Sequence, residues 1–438
     1  MGLQGRLLAA VALAGAVVCA AVVDAPAVPS YVFTSAPRYD AQAWLAGRDR
    51  FPSGATLTFV SGQKRRPLVS GFYASADAAV SYDGTRALFA GRRESAGPWQ
   101  VWETAIEGGA PRQITSGDSN CVRPLYVPDG RVAYTRISAQ GSVVEIVPLA
   151  GGKAERLTYA PGWVLTDDVL HDGRILFEYA ASGRTRELFT VYPDGTGVES
   201  LRCDHGPDRY GARQVSSGDV IFGVGGRLAR FTSALAVQTD VAQPKIGADG
   251  PIAEISAGRW IVSDGGGTGP FGLAVWDAGD GRTKFIEGSK DANDVEPAIV
   301  AARVPPREFP SALVTTRTAG NLLCLNARQS KTPIAAAVSF VRIYARGANG
   351  AAVQLGQAEV AHDGSFYVQV PADRAVRMEL LDAAGHTVRA ERDWFWMRPS
   401  EQRICVGCHT GPERAPENKV PEVLLHSTVP VKMPAPPQ

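Results

Sequence analysis

The sequence predicts an all-β protein: a six-bladed β-propeller, then a small β-sandwich, then a short C-terminal segment carrying a cysteine motif. Three observations predict it. A unit of roughly 40 to 46 residues recurs between Tyr31 and Arg303, the period of propeller blades. Strands are short and broken by Gly and Pro, with almost no sustained helical period. Strand fragments at the two ends of the repeat region complement each other, as a ring that closes on itself requires.

Taken in order, the chain opens with Arg6, an uncharged apolar run from Leu7 to Val18 and then small residues. That grammar predicts a signal peptide over residues 1–20, and hence export. The run is short for a span of about 20 apolar residues, and no later segment approaches that length, so no membrane span is expected in the mature protein. A net charge of +1 offers no electrostatic footprint for nucleic acid, and 45% hydrophobic with 20% charged residues is the composition of a folded globular chain.

Each repeat carries an Asp-Gly turn or a relative of it, then an apolar strand with an aromatic residue, a second strand and a third. The clearest copy runs Tyr82-Asp83-Gly84, Arg86 to Phe89, Gln100 to Trp102 and Arg112 to Thr115. The next begins at Pro128-Asp129-Gly130 and the third at His171-Asp172-Gly173; weaker copies follow near Asp219 and Gly258. These units resemble the WD40-like repeats of the TolB type, with Ser81-Tyr82-Asp83-Gly84 and Val127-Pro128-Asp129-Gly130 each one substitution from the Ser-Pro-Asp-Gly core.

A sixth unit is expected in two pieces. Glu296 to Ala301 reads as an inner strand with nothing after it, while Val32-Phe33, Leu57 to Phe59 and Pro67 to Val69 read as outer strands with no inner one before them. The propeller is therefore assigned to residues 31–303, closed by its N-terminal strands. Beyond the Pro-rich linker at Val304 to Arg307, alternating strands at Phe340 to Tyr344 and Phe366 to Val370 predict a small β-sandwich over residues 311–392.

The remaining residues, 393–438, contain Cys405-Val406-Gly407-Cys408-His409. Two cysteines at this spacing can add to the two vinyl groups of one haem, and the adjacent histidine can ligate the iron from the same loop. A zinc knuckle would need four ligands, and the segment supplies three with no second Cys/His pair nearby in sequence. One covalent haem c is therefore expected, on Cys405, Cys408 and His409. For the sixth iron position His426, Met433 and Met397 are the nearby candidates beside an open or distant one; an open position permits small-molecule chemistry, a filled one favours electron transfer. The aromatic run Trp394-Phe395-Trp396 would serve either as an apolar wall for the porphyrin or as a staple holding the tail to the sandwich.

Cys203-Asp204-His205 forms a second group, with Cys121 at the matching point of an earlier unit, so the two are expected to open on one face of the ring near its axis. Thiolate, imidazole and carboxylate suit an additional zinc or copper ion, whereas a buried free cysteine is the bland alternative. With Cys19 removed and the haem motif used, Cys121, Cys203 and Cys324 remain, an odd number that excludes a disulfide-stapled scaffold.

The order of propeller, small β module and CxxCH, with Asp-Trp-Phe-Trp-Met-Arg-Pro leading into Cys-Val-Gly-Cys-His, resembles proteins related to the hydrazine synthase alpha subunit. That resemblance implies a haem-bearing chain in a multi-subunit complex. It carries the haem-attachment roles of Cys405, Cys408 and His409 but not hydrazine synthesis, since the synthase subunit has two attachment sites and this sequence has one. Three functions follow: a periplasmic monohaem cytochrome c-like protein with a protein redox partner; a propeller binding module with a subordinate haem or metal site; and a haem enzyme acting on a small nitrogenous molecule.

Overall fold

The computed structural model describes residues 28–181, 183–202, 206–233, 236–241, 247–265, 269–279, 281–330, 333–334, 336–407 and 418–434. Six four-stranded sheets form a ring, and two further four-stranded sheets face each other beside it. The innermost strands run from Ala74–Val80 through Asn120–Val127, Trp163–Val169, Tyr210–Gln214 and Ala248–Ser256 to Asn293–Ile299, which returns to the first. Among the described residues the helices are a 3-10 turn at Ala43–Ala46 and a single turn at Glu422–His426. None is long and apolar enough to cross a membrane.

The aromatic signature of the repeat lies on the second strand of each blade. Phe33, Phe89, Tyr134, Phe177 and Phe222 occupy that strand and are all but fully buried between neighbouring blades. Each such side chain contributes about 1.5–3 kcal/mol of burial. The Asp-Gly turn does not open a blade, as the sequence reading has it; it joins the first strand to the second. Ala74–Val80 runs through Asp83-Gly84 into Arg86–Arg92. The innermost strands escape the repeat pattern because they crowd around the axis with small and polar side chains, as in Ala-Ser-Ala-Asp-Ala-Ala-Val. Gly84 needs its left-handed conformation, φ +75°, and a Cβ there would lie 2.8 Å from the carbonyl carbon of Ala301.

The sixth blade joins the two ends of the ring. Tyr31–Ala36 pairs antiparallel with Asn293–Ile299, placing Tyr31 opposite Ile299 and Thr34 opposite Val295, and Thr56–Ser61 and Lys64–Pro67 complete the sheet. The outward side of the Asn293–Ile299 strand is thereby paired, as in the other five blades.

Every innermost strand is irregular at the axis, and charged residues sit at several of these irregularities. Asp77, Arg123 and Glu296 hold φ values of 60°, 53° and 56°, and Gly211 and Gly250 occupy the corresponding positions of the fourth and fifth blades. Arg50, from the first loop of the sixth blade, ion-pairs with Asp77 and, at 2.5 Å, with Glu296, while Arg123 reaches Glu296 at 3.2 Å. Burial opposes the ionised form of Asp77, but the Arg50 and Arg123 guanidiniums prevail and hold its carboxyl at about 2. Neighbouring blades are further stitched by Arg123 N donating to Asp77 Oδ2 (3.0 Å) and Ala212 N to Asp167 Oδ2 (3.1 Å).

In the second module, Ala319–Cys324 and Phe366–Pro371 face a sheet built on Phe340–Arg346, Ala352–Glu359, Val376–Leu381 and Thr387–Ala390. Val341, Ile343, Phe366, Val368 and Val376 fill the space between. The C-terminal segment does not stand apart from this sandwich. Gln402–Cys405 adds in parallel to the edge of Ala319–Cys324, and Val431–Lys432 adds in parallel to Phe366–Pro371. A sandwich ending near Arg392 would lack both edge strands and the core side chains of Met397 and Met433.

Candidate functional site

The segment before the cysteine motif is fixed by both modules. Phe395 exchanges two backbone hydrogen bonds with Val376 of the sandwich. Trp396 is buried in the third blade against Leu157, Val164 and Phe177, and its Nε1 donates to Gly195 O at 3.0 Å. Arg398 donates from Nε to Asp194 O at 2.9 Å, meets the Tyr159 hydroxyl and pairs with Asp373 at 2.7 Å. Glu401 accepts from Gly197 N and from Arg398 N, at 3.0 and 2.7 Å. Three buried or half-buried polar side chains thus hold the Asp194–Gly197 turn of the propeller. The aromatic run is therefore a staple to both modules, Phe395 to the sandwich and Trp396 to the propeller, and neither Trp394 nor Trp396 lines the cleft beside Cys405.

Beyond this clamp the chain enters the edge strand Gln402–Cys405. The strand lines a cleft between the modules of about 680 Å³, shared with Tyr192 and Val198 of the third blade and Phe309 and Leu313 of the linker. Tyr192 and Phe309 stack at 4.0 Å, and Ile404 turns outward, 64% exposed. An exposed isoleucine beside stacked aromatic rings is an apolar surface without a protein partner among the described residues.

Cys405 faces the other way, toward the sandwich core, and is half-buried at the cleft edge. Its Sγ lies 3.4 Å from Gly407 O. A hydrogen bond from the Cys324 thiol, outweighing burial, draws the Cys405 thiol down to about 7. Gly407 is tightly placed: a Cβ would come within 2.9 Å of the carbonyl oxygens of Asn326 and Gln329. The glycine of the motif lets this loop lie flat on the sandwich.

Cys324 is the residue that sequence reasoning left among the spare thiols. It ends the strand adjacent to Cys405, in register with it and 2% exposed. The alternation of Leu322 and Cys324 places the thiol on the buried face, but only the parallel pairing brings the two sulfurs together.

The other candidates scatter. Cys121 lies within the innermost strand Asn120–Val127, not in a connection on the ring face; it is buried among Leu88, Tyr126 and Tyr134, and burial pushes its thiol up. Strand residues alternate, and this one falls on the face packed against the first blade. His426 is exposed on the short helix Glu422–His426, which the turn at Asp363 to Ser365 holds through Glu422 N and Val423 N. Met397 and Met433 are buried in the sandwich core and act as packing. Cys203, His205, Cys408 and His409 lie outside the described residues. Among the described residues no group of three or more His, Cys, Asp or Glu side chains is arranged to hold a metal ion.

The described part of the motif fits a haem. Cys405 lies on an edge strand that lines a cleft of about 680 Å³ with both apolar and charged residues, a size that accommodates cofactors, and Gly407 lets its loop approach the Asn326 and Gln329 backbone closely.

Residues 337–410 match the family described as hydrazine synthase alpha subunit middle domain, a stretch running from the sandwich strand Phe340–Arg346 past Cys405. The fold is similar to hydrazine synthase from Kuenenia stuttgartiensis, with a TM-score of 0.79 at 18% identity over 91% of this chain and 71% of that one. A TolB homolog of Protochlamydia amoebophila (strain UWE25) is 31% identical over 106 residues, 23% of this chain and 23% of that protein. The resemblance to hydrazine synthase alpha-related proteins, read from the order of modules and the cysteine motif, thus holds in sequence for the second module and in fold for most of the chain.

Proposed function

We propose that this chain is an alpha-type subunit of a hydrazine synthase-like assembly, exported and carrying one haem c, and that it acts on a small nitrogenous molecule in the cleft between propeller and sandwich. The observation that carries this reading is the placement of Cys405 on the cleft edge, in the stretch that matches the alpha-subunit middle domain. Cys405 and Cys408 would hold the haem by thioethers and His409 would ligate its iron; such a group, when bound, supplies one-electron redox chemistry and a coordination position for small ligands.

The chain's own residues do the positioning. Trp396, Arg398 and Glu401 lock the strand before the motif to the third blade, so the attachment loop has a fixed distance from the propeller wall. Ile404, Leu313 and the Tyr192–Phe309 stack give the cleft an apolar patch, flanked by Glu199 and Arg403. Protein partners, as other subunits, would use the outer faces of the ring.

The test is production in a periplasm with cytochrome c maturation, followed by haem staining on a denaturing gel, metal analysis and titration with nitric oxide and hydroxylamine. One covalent haem whose reduced form takes up these ligands is the expected result. A covalent haem closed to both would leave an electron-transfer subunit instead. No covalent haem, with one tightly held zinc, would overturn the haem reading and return the chain to a binding module.

A further inference from the structure

Cys324 and Cys405 end adjacent parallel strands and are direct register partners, with Leu325 N donating to Cys405 O at 2.8 Å one residue beyond. Neighbouring strands lie about 4.8 Å apart, inside the Cα separation of about 4.4–6.8 Å that a disulfide spans without moving the backbone. In-register residues of a parallel pair project on the same side, and both sulfurs pack against the same sandwich core. Neither is in a disulfide in this structure. Cys324 is buried and closed to outside reagents, whereas Cys405 is partly open at the cleft.

We propose that Cys324 is the resolving thiol of Cys405: in the haem-free chain under oxidising conditions the two close a disulfide that withholds Cys405 from haem attachment. The gating half of this statement rests on the haem reading above; the disulfide itself does not. The oxidant is a small-molecule disulfide such as oxidised glutathione. The Cys405 thiolate attacks it, forming a mixed disulfide and releasing one thiol. Cys324 then gives up its proton and displaces the second thiol from within. Two protein thiols lose two electrons and two protons, one protein S–S bond forms, and the S–S bond of the oxidant is cleaved to two thiols. The lowered titration of Cys405 favours it as the attacking sulfur at neutral pH, and the burial of Cys324 suits it to act second. A thiol reductant reverses the step and returns Cys405 to the thiol form that adds to a vinyl group.

The experiment uses the full chain produced without haem maturation, equilibrated in oxidised glutathione, alkylated and mapped by mass spectrometry under non-reducing conditions. The expected product is a single cross-linked peptide pair joining Cys324 to Cys405. After a limited thiol treatment that strips mixed disulfides with glutathione but spares the intramolecular bond, Cys324→Ser and Cys324→Ala should each leave Cys405 alkylated at least tenfold more than in the oxidised wild type, with β-rich circular dichroism unchanged. A Cys405–Cys408 cross-link in the wild type, or equal alkylation of Cys405 in wild type and both variants, overturns the proposal. In a second arm, after the same limited thiol treatment, oxidised wild type should take up covalent haem only with further reductant, and Cys324→Ser without it. Haem uptake by both at the same rate overturns the gate, while a Cys324–Cys405 cross-link with no covalent haem in any arm supports the disulfide and refutes the haem reading.

Discussion

The two modules close in different ways. The propeller closes with one long-range antiparallel joint, Tyr31–Ala36 on Asn293–Ile299, whose strands lie in the wall of the ring and are backed by buried charges at the axis. The sandwich closes with two short parallel additions from the C-terminal segment, and its motif strand sits at a sheet edge with one side open to the cleft. The blades of a ring keep only short edges that face the axis and the rim, whereas the parallel strand added to the sandwich leaves an edge on the cleft. The chemistry-bearing residue therefore stands where the fold is less completely enclosed, and the ring supplies the rigid wall opposite it.

Breaking the ring should have the largest effect. Deleting residues 28–70 removes the three outer strands of the sixth blade and exposes the Asn293–Ile299 edge, so the cooperative unfolding transition of the propeller should vanish and most of the protein should aggregate. Size-exclusion chromatography and circular dichroism check this, and a soluble, cooperatively folding deletion would show that closure does not hold the ring.

Arg50→Met should cost about 3–5 kcal/mol at pH 7, because it leaves Asp77 and Glu296 buried beside each other with Arg123 alone to balance them. The pH dependence has a defined sign. In the wild type Asp77 is held at about 2, below its ordinary 3.8, so its contribution is present above about pH 4 and is lost as pH falls through about 2. Without Arg50 the folded carboxyls titrate above their unfolded values and bind protons on folding. The deficit of the variant should therefore shrink between pH 7 and pH 4.5; equal deficits in urea at both pH values would rule out a charge origin.

The smallest effect separates the modules from each other. Arg398→Ala removes the bonds to Asp194 O and Tyr159 and the pair with Asp373, which is partly open to solvent and can rehydrate, so about 2–3 kcal/mol is expected. Calorimetry should then resolve two transitions, with the propeller transition unmoved. A single transition shifted as a whole would mean that other seam contacts, Trp396 foremost, carry the coupling.

The fold class was legible because a propeller is assembled from local hairpins: the Asp-Gly turns, the spacing and the aromatic on the second strand are set by residues close in sequence. Apart from the one read at Glu296 to Ala301, the innermost strands were not, since Ala74–Val80 and Asn120–Val127 owe their composition to neighbours across the axis. The same divide runs through the site. Cys405, with its CxxCH spacing, could be singled out from the chain alone, because one short loop must offer all three groups. Cys324 could not. Its partnership with Cys405 is a parallel register between strands 81 residues apart, set by the Trp396, Arg398 and Glu401 clamp and by the side chains filling the sandwich. Local spacing determined what the motif can do; non-local packing decided which wall it faces and which thiol stands beside it.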